Sequence, residues 1–454
     1  MANTSLRREV SVTGNRKIFT LSAWVKKTKL ADNQNIFSQY VGSGSATIAT
    51  HFRIRFGTTD NLQVAAGGTN LLITNRLFRD TSAWYHIVCA VDTTQGTADD
   101  RIKLYVNGVQ ETSFSARSNP TQNVDTVVNL AGSSHYPRIG ADDADGAGPY
   151  NYFDGLMSHV HFVDGTAYAA STFGSTDSTT GEWQINTSPS ITMGTNGFTI
   201  LKDGNTITDQ SSNSNNFTLV AGTLTKTEDC PSNVFAAFNP LDNYFPAGTY
   251  KNGNTTVNTG NNYAYPQATI YVNKGKWYWE VKAISKVSGG DEYMIGIQGR
   301  SATAVNQPAQ ANHGITVYGT DGDTYGFGGG ATTYAAAYTA GDIVGVALDC
   351  DNNKLYFSKN GAWSTGSGAW GSTTFNSSTG ALTITDPNDV PQGGYSPVAG
   401  AYTSVSHEMS YNFGNGYFGT TAVSSAGTNA SGIGIFEYNV PTGYTALSTK
   451  GLNL

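Results

Sequence analysis

The chain has 454 residues, of which 13% are charged and 53 are glycine, and its formal net charge is −7. This length exceeds what one hydrophobic core usually supports and predicts two or three domains. Low charge with abundant glycine and tyrosine is typical of an all-β protein with many turns. A nucleic-acid-binding protein would carry a basic stripe, and the sequence has none, so we expect no nucleic-acid partner.

The N-terminal residues and the three cysteines narrow the cellular setting. Residues 1–12 contain no apolar core of a secretory signal, and no run reaches the roughly 18 apolar residues that a membrane helix needs. Cys89, Cys230 and Cys350 make no disulfide framework. We therefore expect no membrane insertion and no standard secretory export.

Residues 1–168 contain strands with alternating side chains. Residues 19–25 place Phe, Leu, Ala and Val on one face, and residues 52–56 alternate strictly between apolar residues and arginine. A long strand begins at residue 84, and residues 156–163 close the series. Because alternation with period two places one face in a core, this segment predicts one β-sandwich.

Residues 169–265 are predicted to form a connector. Proline, glycine, asparagine and serine interrupt any long periodic pattern, and short strands are expected only at 198–201 and 217–220. A structureless loop of this length is uncommon in a compact protein. We therefore expect ordered, extended chain that packs against both flanking domains.

Residues 266–420 predict a second sandwich. An aromatic strand covers residues 276–282, and two apolar runs within 341–361 are separated by an Asp/Asn cluster and followed by Asn360-Gly361. The Asn-Gly pair favours a tight hairpin turn, since both central residues then need positive φ. Residues 421–454 are a Gly/Ser linker followed by a strand-like tail.

Two series of motifs resemble known families. FTLSAWVKK, WYHIVCAVDTT, IKLYVNGVQ, RIGADD and YFDGLMSHVHFVDGTAY resemble, in this order, the laminin-G-like, concanavalin-A-like jelly roll. GKWYWEV, YMIGI, YGFGG, GDIVGVALD, LYFSKNG, YSPVAGAY and YNFG resemble the SPRY domain. The fold class implied is all-β, with two antiparallel β-sandwich domains of jelly-roll type joined by an extended, partly ordered connector. In SPRY-like domains the partner usually meets loops at one end of the sandwich.

The whole arrangement, with FNPLDNY at 238–244 and PTGYTAL at 441–447, resembles large structural proteins of tailed phages, especially marine ones. The resemblance implies a location in the virion, as a tail-fibre, head-fibre or decoration component. It implies other virion proteins as partners and a host-surface glycan or receptor as ligand. Particle attachments follow symmetry, so we also expect a homo-oligomer.

The pattern of acidic residues argues against enzymatic activity. Jelly rolls of this type include β-glucan hydrolases, which need two carboxylates facing one sugar, supplied by a Glu-x-Asp-x-x-Glu strand. The chain lacks that pattern, and the adjacent Asp291 and Glu292 would point to opposite faces of a strand. We therefore predict no catalytic residues and a non-enzyme, with a glycan hydrolase as the remaining alternative.

An acidic loop offers a candidate calcium site. Asp142, Asp143 and Asp145 lie among glycines, and hard oxygen ligands on a flexible loop suit Ca²⁺. A solvated acidic turn is the other interpretation, because the spacing is not that of an EF-hand. His159 and His161 share one strand face opposite the inferred core and are predicted to be exposed.

Five aromatic residues in predicted loops are candidates for stacking on sugar rings. These residues are Trp363, Trp370, Tyr318, Tyr334 and Tyr338. Their apolar ring faces fit a glycan, and packing of the loops onto the core is the competing interpretation. They support a second functional hypothesis, a carbohydrate-binding lectin that calcium assists.

Overall fold

The computed structural model divides the chain into two compact units. The first contains Met1–Lys226 and Cys230–Ser232, and the second contains Thr227–Asp229 and Asn233–Leu454. The structure describes residues 3–42, 47–132, 135–143, 148–202, 206–241, 248–260, 265–286, 289–299, 314–326, 330–401 and 406–454.

The described part of the first unit is built from strands and two single 3-10 turns. The strands are β1 (Ser5–Arg7), β2 (Ile18–Lys27), β3 (Gln34–Tyr40), β4 (His51–Phe56), β5 (Asn61–Ala66), β6 (Thr69–Leu77), β7 (Trp84–Asp92), β8 (Ile102–Val106), β9 (Val109–Gln110), β10 (Phe114–Arg117), β11 (Tyr136–Ile139), β12 (Asp142–Asp143), β13 (Pro149–Tyr150), β14 (Gly155–Asp164), β15 (Gly174–Thr176), β16 (Trp183–Ile185), β17 (Phe198–Ile200) and β18 (Thr218–Ala221). The turns are Ala98–Asp100 and Ala170–Thr172.

Two antiparallel sheets form the sandwich of the first unit. One has the order β10-β6-β5-β4-β3-β11-β1-β18 and the other β17-β14-β2-β7-β8-β9, while β12 pairs with β13 and β15 with β16. The predicted alternation is confirmed, since Phe52, Ile54 and Phe56 are buried in the core and Arg53 and Arg55 point away from it. The apolar faces of the sheets meet there and exclude water, which is the main stabilising term of such a fold.

The described part of the second unit is likewise built from strands. They are β19 (Thr249–Lys251), β20 (Thr256–Asn258), β21 (Lys276–Lys286), β22 (Tyr293–Gln298), β23 (Gly314–Tyr318), β24 (Thr324–Gly326), β25 (Ile343–Asp349), β26 (Lys354–Lys359), β27 (Ala362–Trp363), β28 (Leu382–Thr383), β29 (Ser396–Ala401), β30 (His407–Asn412), β31 (Tyr417–Phe418), β32 (Thr421–Ala422) and β33 (Thr445–Ala446). Single 3-10 turns lie at Pro387–Asp389 and Gly451–Asn453.

The larger sheet of the second unit has the order β19-β20-β30-β21-β25-β26-β27, with β28 added to β26 and β33 added to β21. The smaller sheet has the order β24-β23-β22-β29, and β31 pairs with β32. The all-β prediction with two antiparallel sandwiches is therefore confirmed. Among the described residues no helix has the length and apolar character to cross a membrane.

The predicted Asn-Gly turns have the backbone that the sequence requires. Asn107 and Gly108 have φ of 46° and 81°, and Asn360 and Gly361 have φ of 48° and 81°. Both central residues of each turn are thus left-handed, as in a type I′ turn. Each pair joins two adjacent antiparallel strands, β8 to β9 and β26 to β27.

The predicted connector and tail are distributed differently in the structure. Residues 169–226 belong to the first unit and residues 233–265 to the second, so the connector is not a separate segment. In the predicted tail, β33 pairs in parallel with β21, and Phe436, Tyr444 and Leu447 are buried in the second core. The tail is therefore part of the second sandwich.

Candidate functional site

Four of the five predicted binding aromatics are buried. Tyr334 and Tyr338 are 2% and 1% exposed, and Trp363 and Tyr318 are 8% and 9% exposed. Tyr318 ends strand β23 rather than lying in a loop, and it packs edge-on against Tyr325 with ring centroids 5.5 Å apart. The burial corrects the prediction for these four residues, because a ring inside a core has no free face for a sugar.

Tyr334 fixes two loops on the surface of the second unit. Its hydroxyl donates to the carbonyl of Gly380 at 2.7 Å and accepts from the amide of Phe357 at 3.2 Å. Its own carbonyl accepts from Ser364 Oγ at 2.7 Å and from the amide of Gly368 at 3.2 Å. One buried tyrosine therefore holds the loop at 330–340 against the loop at 364–381.

Tyr338 anchors the other end of the first of these loops. Its hydroxyl lies 3.0 Å from the carbonyl oxygen of Tyr293 and 3.1 Å from that of Val317. Burial raises the pKa of Tyr338 well above its ordinary value, so the hydroxyl stays protonated and can donate. The loop thus begins and ends on side chains that reach into the core.

Trp370 is the predicted aromatic residue whose side chain remains half-buried at the surface. Its indole Nε1 donates to the carbonyl of Ala336 at 2.8 Å, which fixes the ring beside the loop at 330–340. The Nζ of Lys359 lies 5.9 Å from the ring centroid and donates to the carbonyl of Ala337 at 3.1 Å. Ser367 is exposed beside it. We call Trp370, Lys359, Ser367 and the exposed residues 331–333 and 336–337 the Trp370 surface.

The Trp370 surface combines an aromatic ring, a cation and exposed hydroxyl groups. A fixed ring offers stacking area at low entropic cost, because few torsions remain to be frozen on binding. The lysine and the hydroxyls of Thr332 and Ser367 can donate hydrogen bonds to a polar ligand. The arrangement suits recognition of an uncharged or weakly acidic hydroxyl-rich molecule.

Asp142 lies inside the first unit and is already neutralised. His51 Nε2 lies 2.8 Å from its Oδ1, while Arg53 Nη1 and the Tyr150 hydroxyl lie 3.3 and 3.2 Å from its Oδ2. Burial alone would raise the pKa of Asp142, but its interactions with His51 and with the Arg53 guanidinium outweigh burial, so the pKa is lowered. The carboxylate therefore serves a buried charge network.

Asp143 is held in the same way. Arg138 donates to the same oxygen, Oδ2, from Nε at 2.8 Å and from Nη2 at 2.6 Å. Asp145 lies outside the described residues, and within the described ones no cluster of acidic, histidine or cysteine side chains could hold a metal. This corrects the calcium prediction for Asp142 and Asp143, whose charges are balanced by arginine and histidine.

His161 also differs from its predicted exposure. It is 3% exposed, its Nδ1 lies 2.9 Å from Thr199 Oγ1, and its ring stacks on Phe173 at 5.7 Å. The segment after β14 folds back over the outer face of the six-stranded sheet and covers it. Burial is the largest cause that lowers the pKa of His161 to about 3.

Glu280 is a buried carboxylate that the sequence analysis did not single out. It lies fully buried in β21 and accepts from the Tyr278 hydroxyl at 3.0 Å and from the amides of Glu437 and Tyr438, each at 2.8 Å. Asn412 Nδ2 lies 3.4 Å away. Burial raises the pKa of Glu280 to about 7. Because donors surround both of its oxygens, Glu280 holds the segment at residues 437–438 against β21. The feature of the sequence that could have indicated this role is an acidic residue inside an aromatic strand.

The fold defines a protein with two β-sandwich units. Residues 3–171 match the family model described as Concanavalin A-like lectin/glucanases superfamily, a laminin-G type. Residues 276–383 match the SPRY domain. The chain therefore carries a laminin-G-like jelly roll followed by a SPRY domain, as the motif resemblances predict.

Curated relatives share a short part of the chain. Ran-binding protein 9 of Danio rerio is 34% identical over 88 residues, which is 19% of this chain and 14% of that protein. The Ran-binding proteins 9/10 homolog of Drosophila melanogaster is 32% identical over 99 residues, which is 22% of this chain and 10% of that protein. The chain thus spans a small fraction of the length of these relatives.

Two solved structures are among those with partial similarity to this chain. The SPRY domain of human HERC1 has 17% identity and a TM-score of 0.30, and the match covers 38% of this chain and 96% of that domain. The native heptameric SAP-like pentraxin from Limulus polyphemus has 14% identity and a TM-score of 0.29, over 49% of this chain and 89% of that chain.

Proposed function

We propose that this chain is a non-enzymatic structural and adhesion protein of a phage particle, and that it presents the Trp370 surface to a glycan of the host surface. The observation that carries the proposal is the position of Trp370, a half-buried ring on a loop that buried tyrosines fix to the core. Its partners are other virion proteins. It also associates with further copies of itself as a homo-oligomer. The tail-fibre, head-fibre and decoration positions all fit this function.

The support for binding through this surface comes from its rigidity. The loop beside Trp370 is tied to the core by Tyr334 and Tyr338, so little order has to be gained when a ligand arrives. Binding sites placed on rigid supports hold their geometry better than free loops do. The glycan is proposed as the ligand class because the surface combines a fixed indole ring with a lysine and hydroxyl groups, while the lectin/glucanase match of residues 3–171 concerns the first unit.

The support for binding rather than hydrolysis comes from the acidic residues. Glycoside hydrolysis needs two carboxyl groups that reach one sugar, and Glu280 is sealed by its donors. Asp291 is engaged by Lys286 at 3.1 Å and by Thr339 Oγ1 at 3.0 Å. These contacts give Glu280 and Asp291 structural roles.

The surface is tested by binding of the purified chain to an array of bacterial surface glycans. We expect Trp370→Ala to weaken binding by about 30-fold, the loss typical of a central tryptophan at about 2 kcal/mol. Val109→Ala is the matched control, because Val109 is an apolar residue of the first unit with 63% exposure. Added chelator should leave binding unchanged. Equal binding of Trp370→Ala and the parent chain would contradict the proposal.

The particle assignment is tested separately. Mass spectrometry of purified virions should detect this chain in a fixed ratio to the major capsid protein. Its absence from virions, together with glycan binding by the free chain, would instead favour a soluble lectin. Release of soluble sugar from the bound glycan would assign the chain to the hydrolases.

A further inference from the structure

Lys27 and Asp60 make a buried contact between the two sheets of the first unit. Lys27 is the last residue of β2 in the six-stranded sheet, and Asp60 precedes β5 in the eight-stranded sheet. The Nζ of Lys27 contacts Oδ1 of Asp60 directly, and the two side chains are 0% and 7% exposed. The contact therefore joins the two layers of the sandwich away from bulk solvent.

The surroundings of Lys27 favour its neutral, nucleophilic form. The Nζ lies 5.3 Å from the centre of the Phe56 ring, a contact that favours the ammonium form, so the opposing effect comes from burial. Burial lowers the pKa of Lys27, and this effect exceeds the opposing attraction of Asp60 and Asp32. Arg79 acts in the same direction as burial. A desolvated lysine amine is the form that attacks carbonyl carbon.

The surroundings of Asp60 place a hydrogen-bond donor on one of its oxygens and a positive charge near the other. The amide of Ala31 donates to Oδ1 at 2.8 Å, and Arg79 Nε lies 3.6 Å from Oδ2. Donors in these positions draw electron density from the carboxyl carbon and stabilise the oxyanion that forms when an amine adds to it. The pair thus has a nucleophile, an electrophilic carbon and oxyanion donors in one buried place.

We propose that Lys27 and Asp60 condense into an intramolecular amide that links the two sheets of the first unit. Within the contact, the ammonium group of Lys27 transfers one proton to the carboxylate, which gives an amine and a carboxylic acid. Nζ then bonds to Cγ, the C–OH bond breaks, and the hydroxyl leaves as water with a second proton from Nζ. One ammonium and one carboxylate become one amide and one water, and no other reactant is needed.

Folding brings the two reacting groups into contact. Groups held in contact react as if at very high concentration, with effective molarities of about 10⁵–10⁸ M for well-oriented pairs. The link would close a loop over a separation of 33 residues, and such closures stabilise by restricting the unfolded chain. All three cysteines are free, so this amide would be a covalent link in a chain that has no disulfide.

The test is the mass of the full chain after purification and denaturation. We expect a mass about 18 Da below that of the sequence, one water per chain. Tryptic digestion should give a branched peptide that joins Lys27 to Asp60, because trypsin does not cleave after an acylated lysine. Lys29 and Asp32 serve as an internal control, since they are also paired but 38% and 42% exposed, and we expect them to remain unlinked.

The Asp60→Ala variant should have the full mass of its own sequence. A full mass for the parent chain with separate peptides for Lys27 and Asp60 would overturn the proposal, and so would an 18 Da loss (about one water) that persists in Asp60→Ala. The parent chain alone decides the question, so the test does not depend on whether the variant folds.

Discussion

In the first unit, the segment after β14 packs over the outer face of the six-stranded sheet and covers His86. In the second unit, the segment after residue 433 packs over β21 and covers Glu280. Both covering segments lie largely outside the residues that the two family models match. The two units thus extend a common kind of sandwich in the same way but with different chemistry.

His86 is covered by a side chain. The indole of Trp183 donates to His86 Nδ1 at 3.0 Å and stacks on the ring at 5.9 Å, while Trp24 stacks on the other face at 4.9 Å. Ser22 Oγ lies 2.8 Å from Nε2. Glu280, by contrast, is held by two backbone amides, which remain under any substitution other than proline, and by the side chains of Tyr278 and Asn412. A single substitution, at Trp183, can therefore change the environment of His86. The environment of Glu280 depends mainly on the backbone conformation of residues 437–438.

The pKa values of His86 and Glu280 are shifted in opposite directions. Burial favours the neutral form of each group, so the pKa of His86 is lowered to about 3 and that of Glu280 is raised to about 7. The segment that packs over His86 therefore favours the neutral base, and the segment that packs over Glu280 favours the neutral acid.

Removal of the second cover should have the largest effect. A chain that ends at Gly432 loses Phe436, Val440, Tyr444 and Leu447, which are all buried. Burial of each contributes about 1.5–3 kcal/mol, and their sum is comparable with the total stability of a domain, about 5–15 kcal/mol. Calorimetry should show one cooperative transition lost and the other retained.

The control for this truncation is a chain that ends at Gly451. It lacks Leu452 and Leu454, which are 46% and 80% exposed, and both transitions should persist. Two intact transitions in the chain that ends at Gly432 would show that the segment is dispensable.

Substitution of the buried acid should have the next largest effect. Glu280→Ala leaves the amides of Glu437 and Tyr438 and the Tyr278 hydroxyl without their acceptor. We expect a loss of about 3 kcal/mol in the unfolding free energy of the second unit, measured by urea denaturation at pH 7. Glu437→Ala is the matched control, because only the backbone of that residue reaches Glu280. Equal losses in both variants would contradict the role of Glu280.

The pH response of the parent chain should separate the two units. The folded pKa values of His86 and His161 are lowered, so their contribution is present above pH 6.5 and is lost as the pH falls toward 3. The folded pKa of Glu280 is raised, so its contribution is present below pH 4.5 and is lost as the pH rises toward 7. Between pH 4.5 and 6.5 the two slopes have opposite signs.

Calorimetry of the full chain at several pH values in that range checks this. Each group changes the stability by about 1.4 kcal/mol per pH unit at most. The first transition should move up with pH and the second down, although Asp154, whose pKa burial raises, opposes the two histidines in the first unit. Parallel movement of both transitions would refute the comparison.

The smallest effect is expected from removal of the indole donor. Trp183→Phe keeps an aromatic ring beside His86 but loses its hydrogen bond, which contributes about 1 kcal/mol. Urea denaturation at pH 7 measures the change in the first unit. Trp370→Phe is the control in the second unit, because its indole hydrogen bond lies at the exposed surface. An unchanged first unit in Trp183→Phe would mean that His86 Nδ1 does not need this donor.

Local pattern predicted the strands and turns of both units well. Alternation identified the buried face of β4, and the Asn-Gly pairs identified two hairpin turns, because both signals depend only on neighbouring residues. The same is true of the apolar runs that became β25 and β26.

Long-range contacts explain what local pattern could not predict. The partners of Asp142, His51 and Arg53, lie about ninety positions earlier in the chain, so the acidic loop alone suggested a metal. Tyr334 and Tyr338 have polar, glycine-rich neighbours that predict loops, yet both rings point into the core. The direction in which a loop side chain points depends on the distant segment that it packs against. Local sequence composition does not indicate that segment.

The parallel pairing of β33 with β21 has a consequence for synthesis on the ribosome. Trp277 and Tyr278 pair with Thr445 and Ala446, which are translated long after them. The larger sheet of the second unit therefore stays incomplete until that late segment emerges, whereas the last strand described in the first unit ends at Ala221. Domains generally fold as units during synthesis, so the N-terminal sandwich forms first and the C-terminal one closes after nearly the whole chain has emerged.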